Sequence, residues 1–202
     1  MTPREGEPDG DRPALAEQRG VERVYQPAED SRLLAESVVE SVEPGDRLLD
    51  VGTGSGFVAA RAGDAGADVV GSDLNPYACR QAREAGVPVV RGDLTTPFRS
   101  GVFDLVTFNP PYLPTNPETA WSDWMERALS GGSDGRAAVE PFLGDVGRVL
   151  APGGTALLLV STLTGPETVR ELAADRGLAA TEVAREPYPF EALLVLCITP
   201  KH

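Results

Sequence analysis

Asn109-Pro110-Pro111-Tyr112 is the run in this chain whose residue types and order carry the most specific chemistry. Two consecutive prolines fix the backbone, so the carbonyls around them point in set directions. The Asn109 side-chain oxygen and the Pro110 carbonyl can then both accept from one substrate NH₂ group. An amide or aromatic amine is a poor nucleophile because its lone pair is delocalised. Holding both of its N–H bonds in one plane directs the remaining lone-pair density at an electrophile, and Tyr112 supplies a wall for a planar group. The nitrogen becomes acidic once alkylated, so no general base is needed before attack. Catalysis of this kind is mostly orientation and electrostatics. The plainer alternative is a proline-rich strand exit.

A second run, Asp50-Val-Gly52-Thr-Gly54-Ser-Gly56, follows a short apolar segment and precedes a helical pattern. Glycines there let the backbone turn sharply and approach a ligand, with the free N–H groups of a helix start behind them. The spacing is G-x-G-x-G, not the dinucleotide G-x-G-x-x-G, and alone it is often only a strand-to-helix turn. Asp73 follows Gly52 by 21 residues. An acid there either accepts both ribose hydroxyls of a nucleoside or caps the helix that begins near Pro76. Asp93, in Gly92-Asp93-Leu94, either accepts from an adenine amino group, with Leu94 against the ring, or is an ordinary loop acid.

The elements that must hold these residues alternate. Helical spacing covers 28–42, with Asp30 as a candidate N-cap. Strands are expected at 47–51, 68–72, 87–91, 103–108 and 155–161, with helices at 57–65, 76–85, 136–150 and 166–176. Pro76 sits in the first turn of its helix, where a missing N–H costs nothing. Residues 113–134 read as an irregular insertion, and 181–185 with 193–199 as a closing hairpin. Apolar strands without alternation, separated by helices, predict an α/β fold with a mostly parallel, doubly wound sheet. The chemistry-bearing runs all fall at the ends of its strands.

The 202 residues suit a single α/β domain at 23–202, preceded by a polar, acidic tail at 1–22 that reads as disordered. No run is long and apolar enough for a transmembrane helix or a secretory signal, and the two cysteines, Cys79 and Cys197, form no metal-ligand pair. A cytoplasmic setting and no metal are expected. The formal charge is −13, and Lys201 is the only lysine among 18 basic residues. Acid surplus with almost no lysine points to a salt-loving source. A GC-rich genome also favours Arg but does not account for the acids. The charge repels a phosphate backbone, so nucleic acid is the less favoured partner. Trp121 and Trp124 either line a substrate groove or anchor the insertion, and Arg136 either caps a helix or meets an acidic substrate. His202 is given no role.

Taken together, Asp-x-Gly-x-Gly-x-Gly, Ser72-Asp73-Leu-Asn-Pro76, Gly92-Asp93-Leu94 and Asn109-Pro-Pro-Tyr112 resemble an S-adenosylmethionine-dependent class I methyltransferase acting on a planar nitrogen. Val24-Tyr-Gln-Pro-Ala-Glu-Asp-Ser31 and Gly131-Gly-Ser-Asp-Gly-Arg136 are similar to the short HemK-like proteins of archaea and eukaryotes. The resemblance covers residues 24–199 and implies a seven-stranded sheet with an antiparallel last strand. It further implies methylation of the glutamine amide nitrogen in the Gly-Gly-Gln loop of a class I release factor, with S-adenosylhomocysteine as product. Carried over by position, Ser31 and Asp50 with Gly52 would hold the methionine part of the donor, and Gly54 would belong to the same donor site. Asp73 would hold the ribose, Asp93 and Leu94 the adenine, Asn109 both donor and substrate, and Pro110, Pro111 and Tyr112 the substrate. Ser31 stands where Thr is common, and Asp50 where some relatives have Glu. The family also implies a small activator subunit, shared with tRNA methyltransferases, that adds a strand at edge 87–91 (Val87-Pro88-Val89-Val90-Arg91). The alternative activity is N-methylation of exocyclic amino groups of nucleic acid, adenine N6 or guanine N2. The acidic charge stands against it, as does the lack of a target-recognition domain.

Overall fold

Strands that are apolar on both faces need cover on both, and the alternation of elements supplies it. The computed structural model describes residues 23–114 and 124–201. Its strands are β1 (Arg47–Val51), β2 (Asp68–Asp73), β3 (Val89–Arg91), β4 (Phe103–Phe108), β5 (Leu150–Ser161), β6 (Leu178–Pro187) and β7 (Ala192–Pro200). Its helices are α1 (Glu29–Ser41), α2 (Phe57–Asp64), α3 (Pro76–Glu84), α4 (Trp124–Leu129), α5 (Val139–Val149) and α6 (Pro166–Ala174), with a 3₁₀ turn at Thr162–Thr164. The sheet order is β3-β2-β1-β4-β5-β7-β6. β7 is antiparallel to both β5 and β6, and the other pairings are parallel.

Alternate residues of each central strand feed two separate cores. Leu33, Leu34 and Val38 of α1, with Val58 of α2, pack on Leu48, Leu105 and Leu157. Phe142, Leu143 and Val146 of α5 pack on Leu49, Val106 and Leu158 from the opposite face. Each such buried side chain contributes about 1.5–3 kcal/mol. The order reverses between β1 and β4, and a crevice opens at their C-terminal ends, which is where doubly wound sheets place ligands.

Three elements depart from the pattern expected of the sequence. β3 is confined to Val89–Arg91, because Val87 is buried against Ala59 and Ala82 and its amide bonds to the Ala82 carbonyl at 3.0 Å. The apolar surface at that edge therefore comes from Val90 and Leu74, not from Val87. β5 begins already at Leu150, pairs with Phe103, and resumes after an irregularity at Thr155. The helix before it stops at Val149, three residues short of Pro152, and Gly154 keeps the chain on the sheet: a Cβ there would lie 2.7 Å from the Phe103 carbonyl. Within 113–134, α4 forms and Leu113 bridges to Ser130. The expected tail at 1–22, Trp121 and His202 lie outside the described residues. Among the described residues no helix is long and apolar enough to cross a membrane, and no group of three or more His, Cys, Asp or Glu side chains could hold a metal ion.

Candidate active site

The glycine loop is tied down by the strands on either side of it. Gly52 has φ +62°, and a Cβ there would stand 3.3 Å from the Phe108 ring, so a larger residue would be strained and crowded. The Thr53 amide donates to the Ser72 carbonyl of β2 at 2.9 Å. The Asp50 carboxyl, fully enclosed, accepts from the Thr53 and Thr107 hydroxyls, each at 2.7 Å. Burial pushes Asp50 up to about 6; the two threonine bonds oppose the rise and the nearby Asp73 charge adds to it. Asp73 accepts from the Gly54 amide at 3.0 Å and the Asn75 amide at 2.8 Å. Burial raises its pKa too, against those backbone bonds. The N-cap of α3 is Asn75, whose side chain accepts from Tyr77 N at 2.9 Å. Asp73 is thereby relieved of that role and holds the loop instead.

Facing the loop, Asn109 follows directly on β4. Its side-chain oxygen is buried and has no hydrogen-bond partner, a condition shared among the described residues only with Arg136 Nε. An acceptor left so costs about 1–3 kcal/mol, which is offset when a ligand donates to it. Pro110 is buried, and Pro111 and Tyr112 are half-buried. The Tyr112 hydroxyl reaches Asp30 Oδ2 at 3.5 Å, and the Tyr25 hydroxyl donates to the same oxygen at 3.2 Å. Asp30 Oδ1 accepts from Ser31 N at 2.6 Å and Ser31 Oγ at 3.1 Å. Asp30 is thus not the N-cap of α1, a position taken by Ala28. It lies within the first turn, buried, and clamps two tyrosines across the cavity. Burial first, and the Asp30 charge second, hold both tyrosine hydroxyls far above their ordinary pKa, so they act as proton donors and not as bases.

The chain beyond Tyr112 is braced by the Gly131–Arg136 turn. Leu113 N donates to the Leu129 carbonyl at 3.0 Å, and Gly131 N to the Leu113 carbonyl at 2.9 Å. Gly135 must lack a side chain, since a Cβ would lie 2.5 Å from the Tyr112 carbonyl and 2.7 Å from the Thr164 methyl. Arg136 donates through Nη1 to the Thr164 carbonyl and through Nη2 to Asp134, both at 2.7 Å. Its work is therefore to tie this turn to the end of β5; α5 starts three residues later, at Val139.

One cavity of about 190 Å³ collects these parts. Ser31, Asp50, Gly52, Gly54, Asp73 and the Asn109–Tyr112 run all line it. Asp93 and Leu94 are not among its walls: Asp93 is exposed, and Leu94, at φ +45°, accepts from the Ser72 hydroxyl at 3.1 Å. Trp124 and Arg127 of α4 form part of the wall, with the guanidinium 5.4 Å from the Trp124 ring. Three carboxyl groups, Asp30, Asp50 and Asp73, stand in the wall against the single cation Arg127. Such a cavity favours a ligand carrying positive charge. Residue-by-residue reading of the sequence missed Asp30, Tyr25, Thr53 and Thr107. The Tyr25–Ser31 run was the available signal for the first two.

A parallel sheet with β7 reversed, a glycine loop after β1, an acid after β2 and Asn-Pro-Pro-Tyr after β4 define a class I methyltransferase. Residues 49–132 match the family model described as a methyltransferase domain. The chain is 36% identical over 181 residues to a Methanocaldococcus jannaschii protein named as a protein N5-glutamine methyltransferase, covering 86% of this chain and 90% of that one. It is 33% identical over 192 residues to the Mus musculus methyltransferase HEMK2, covering 86% and 88% of the two. A chain of the solved E. cuniculi Mtq2–Trm112 complex, responsible for methylation of the eRF1 translation termination factor, matches with a TM-score of 0.73 at 26% identity, over 89% of this chain and 100% of that one. The chain belongs to the HemK-like family of S-adenosylmethionine-dependent methyltransferases.

Proposed function

We propose that this enzyme methylates the side-chain amide nitrogen of the glutamine in the Gly-Gly-Gln loop of a class I release factor, in the cytoplasm. The observation that carries the reading is the buried Asn109 side-chain oxygen without a donor, on a backbone stiffened by two prolines and opposite the glycine loop. The residues present fit S-adenosylmethionine: acidic walls suit its sulfonium and ammonium, and Gly52 leaves the space a Cβ would take. Ser31, Asp50, Gly52 and Gly54 would hold its methionine part and Asp73 its ribose; Asp93 and Leu94, which follow β3 outside the cavity walls, are the candidates for its adenine from sequence alone. When bound, it supplies an electrophilic methyl group.

The protein's own part is orientation. Asn109 Oδ1 and the Pro110 carbonyl each accept one N–H of the glutamine amide, which fixes the amide plane and turns the nitrogen lone pair toward the donor. Pro111 holds the strand exit rigid, and Tyr112 walls the amide face while its hydroxyl stays protonated against Asp30. After transfer the nitrogen is cationic and loses its extra proton easily, so no strong base is required. Each of the two accepted hydrogen bonds also strengthens as the nitrogen gains positive charge, so both stabilise the transition state more than the ground state.

We further propose that a small activator subunit, of the kind present with Mtq2, pairs at the β3 edge. The two sheet edges differ in a way that supports this. β6 carries Glu182, ion-paired both with Arg185 on the same strand and with Arg170, which blunts pairing. β3 offers Val90, 39% exposed, beside Leu74, 48% exposed. The test is to give tritiated donor to purified release factor, tRNA and DNA with the enzyme and activator. Label in the release factor alone is expected; label in nucleic acid and none in the factor overturns the reading.

A further inference from the structure

A glutamine side chain spans four bonds from Cα to its amide nitrogen, about 5 Å. An acceptor loop that brings this nitrogen to Asn109 must therefore carry its own backbone to the cavity mouth, and the folded body behind it must rest on the rim. The described residues expose only seven large hydrophobic side chains. Leu74 and Val90 belong to the β3 edge, and Val39 and Val183 stand apart on α1 and β6. The other three, Leu113, Leu163 and Phe190, lie along one continuous path of contacts beside Asn109–Tyr112.

Leu113 is in the cavity wall itself and is 37% exposed. Its strand exit is closed by the Gly131–Arg136 turn, which meets Thr164 through Gly135 and through the Arg136 bond to the Thr164 carbonyl. Leu163, 47% exposed, precedes Thr164, and its amide donates to the Ser161 hydroxyl at 3.1 Å. That hydroxyl in turn bonds Glu191, and Ala192 N donates to Thr162 Oγ1 at 2.9 Å. Phe190 is the neighbour of Glu191 at the β6–β7 tip and is 96% exposed. The tip is stiff: Tyr188 N donates to the Glu191 carbonyl at 2.7 Å, and Pro189 fixes the turn. Tyr188 of this tip and Tyr112 of the cavity wall pack against the same core cluster, which includes Leu193, and this sets the tip on the acceptor side of the cavity.

We propose that Leu113, Leu163 and Phe190 form an apolar rim on which the folded body of the acceptor protein seats, so that affinity for the protein is set outside the cavity and chemistry inside it. The inference rests on a protein glutamine being the acceptor. A nucleobase or a free amide would not need the rim, whereas a protein with an apolar collar around its loop would. A rigid, fully presented aromatic is the kind of side chain that carries interface affinity.

The test compares Phe190→Ser and Leu163→Ser with Val183→Ser, an exposed valine away from the rim, each as the complex with the activator. Methyl transfer to intact release factor is measured for kcat and KM, and S-adenosylhomocysteine affinity by calorimetry. The expected result is a KM raised about tenfold or more in the first two, with kcat and product affinity unchanged, and wild-type behaviour for Val183→Ser. A KM within twofold of wild type in Phe190→Ser and Leu163→Ser overturns the rim, as does an equal rise in Val183→Ser. Absence of transfer to the factor by the wild-type enzyme is a different failure: it removes the proposed substrate, and the rim with it.

Discussion

Asp73→Ala separates two jobs that one carboxylate performs. A carboxylate offers about four acceptor positions. Gly54 N takes one on Oδ2 and Asn75 N one on Oδ1, leaving capacity on both oxygens at the cavity wall. Two vicinal ribose hydroxyls fit that remainder. Removing two charge-assisted bonds to the ligand is worth about 2–3 kcal/mol, an affinity loss of about 30- to 150-fold. The same substitution strips the acceptor from the Gly54 amide, which costs the free protein about 1–2 kcal/mol and lowers Tm by about 2–8 °C. Calorimetric titration with S-adenosylhomocysteine, run well below the lowered Tm, reads the first effect, and a melting curve without ligand reads the second. Asp73→Asn, which keeps one acceptor, should lose less of both. Product affinity within twofold of wild type for Asp73→Ala, with Tm lowered, would refute the ribose assignment and leave Asp73 as a staple for the loop.

Three further outcomes are expected. Because burial lifts the folded-state pKa of Asp50 to about 6, above its unfolded value, Asp50 favours folding at acid pH and this contribution is lost as pH rises through about 6. Its ionised form is also the one that attracts a ligand ammonium, so S-adenosylhomocysteine affinity should climb from pH 5 to 7 and level off; an equally steep climb in Asp50→Asn would assign the effect to another group. Val90→Asp puts a charge on the β3 edge and should weaken co-purification with the activator, leaving product affinity unchanged; wild-type recovery of the pair would move the activator elsewhere. With a formal charge of −13, self-repulsion is screened by salt, so Tm should rise from low salt to molar KCl, and a flat curve would leave codon bias as the reason for the arginines.

The order of elements and the two main motifs were legible because they are local. β1 and β4 have the expected bounds, since each is a short apolar run between clear breaks, and the glycine loop and Asn109–Tyr112 follow them directly. What sequence reasoning could not supply are roles set by distant partners. Asp30 sits where an N-cap is plausible, but its hydroxyl donor from Tyr112 is 82 residues away and pulls it into a buried clamp. Arg136 meets a carbonyl 28 residues on, at Thr164. A helix cap is the alternative reading of Asp73 because it precedes Pro76; the packing of β2 beside the glycine loop gives it to Gly54, and Asn75 caps α3. Pro152-Gly153-Gly154 reads as a stop in a local scheme; pairing of Leu150 with Phe103 and of Thr155 with Leu105 on either side carries these residues along β5 as an irregularity.

The central claim is that Asn109 orients the acceptor nitrogen. Its most direct test is the single-turnover rate of Asn109→Ala on release factor, measured with donor and enzyme–activator complex at saturation. The reasoning predicts a rate about 100-fold or more below wild type, with Tm retained, because the lost interaction acts on the reacting nitrogen and a buried oxygen without a partner is removed along with it. A rate within a few-fold of wild type would contradict the amide-orienting mechanism.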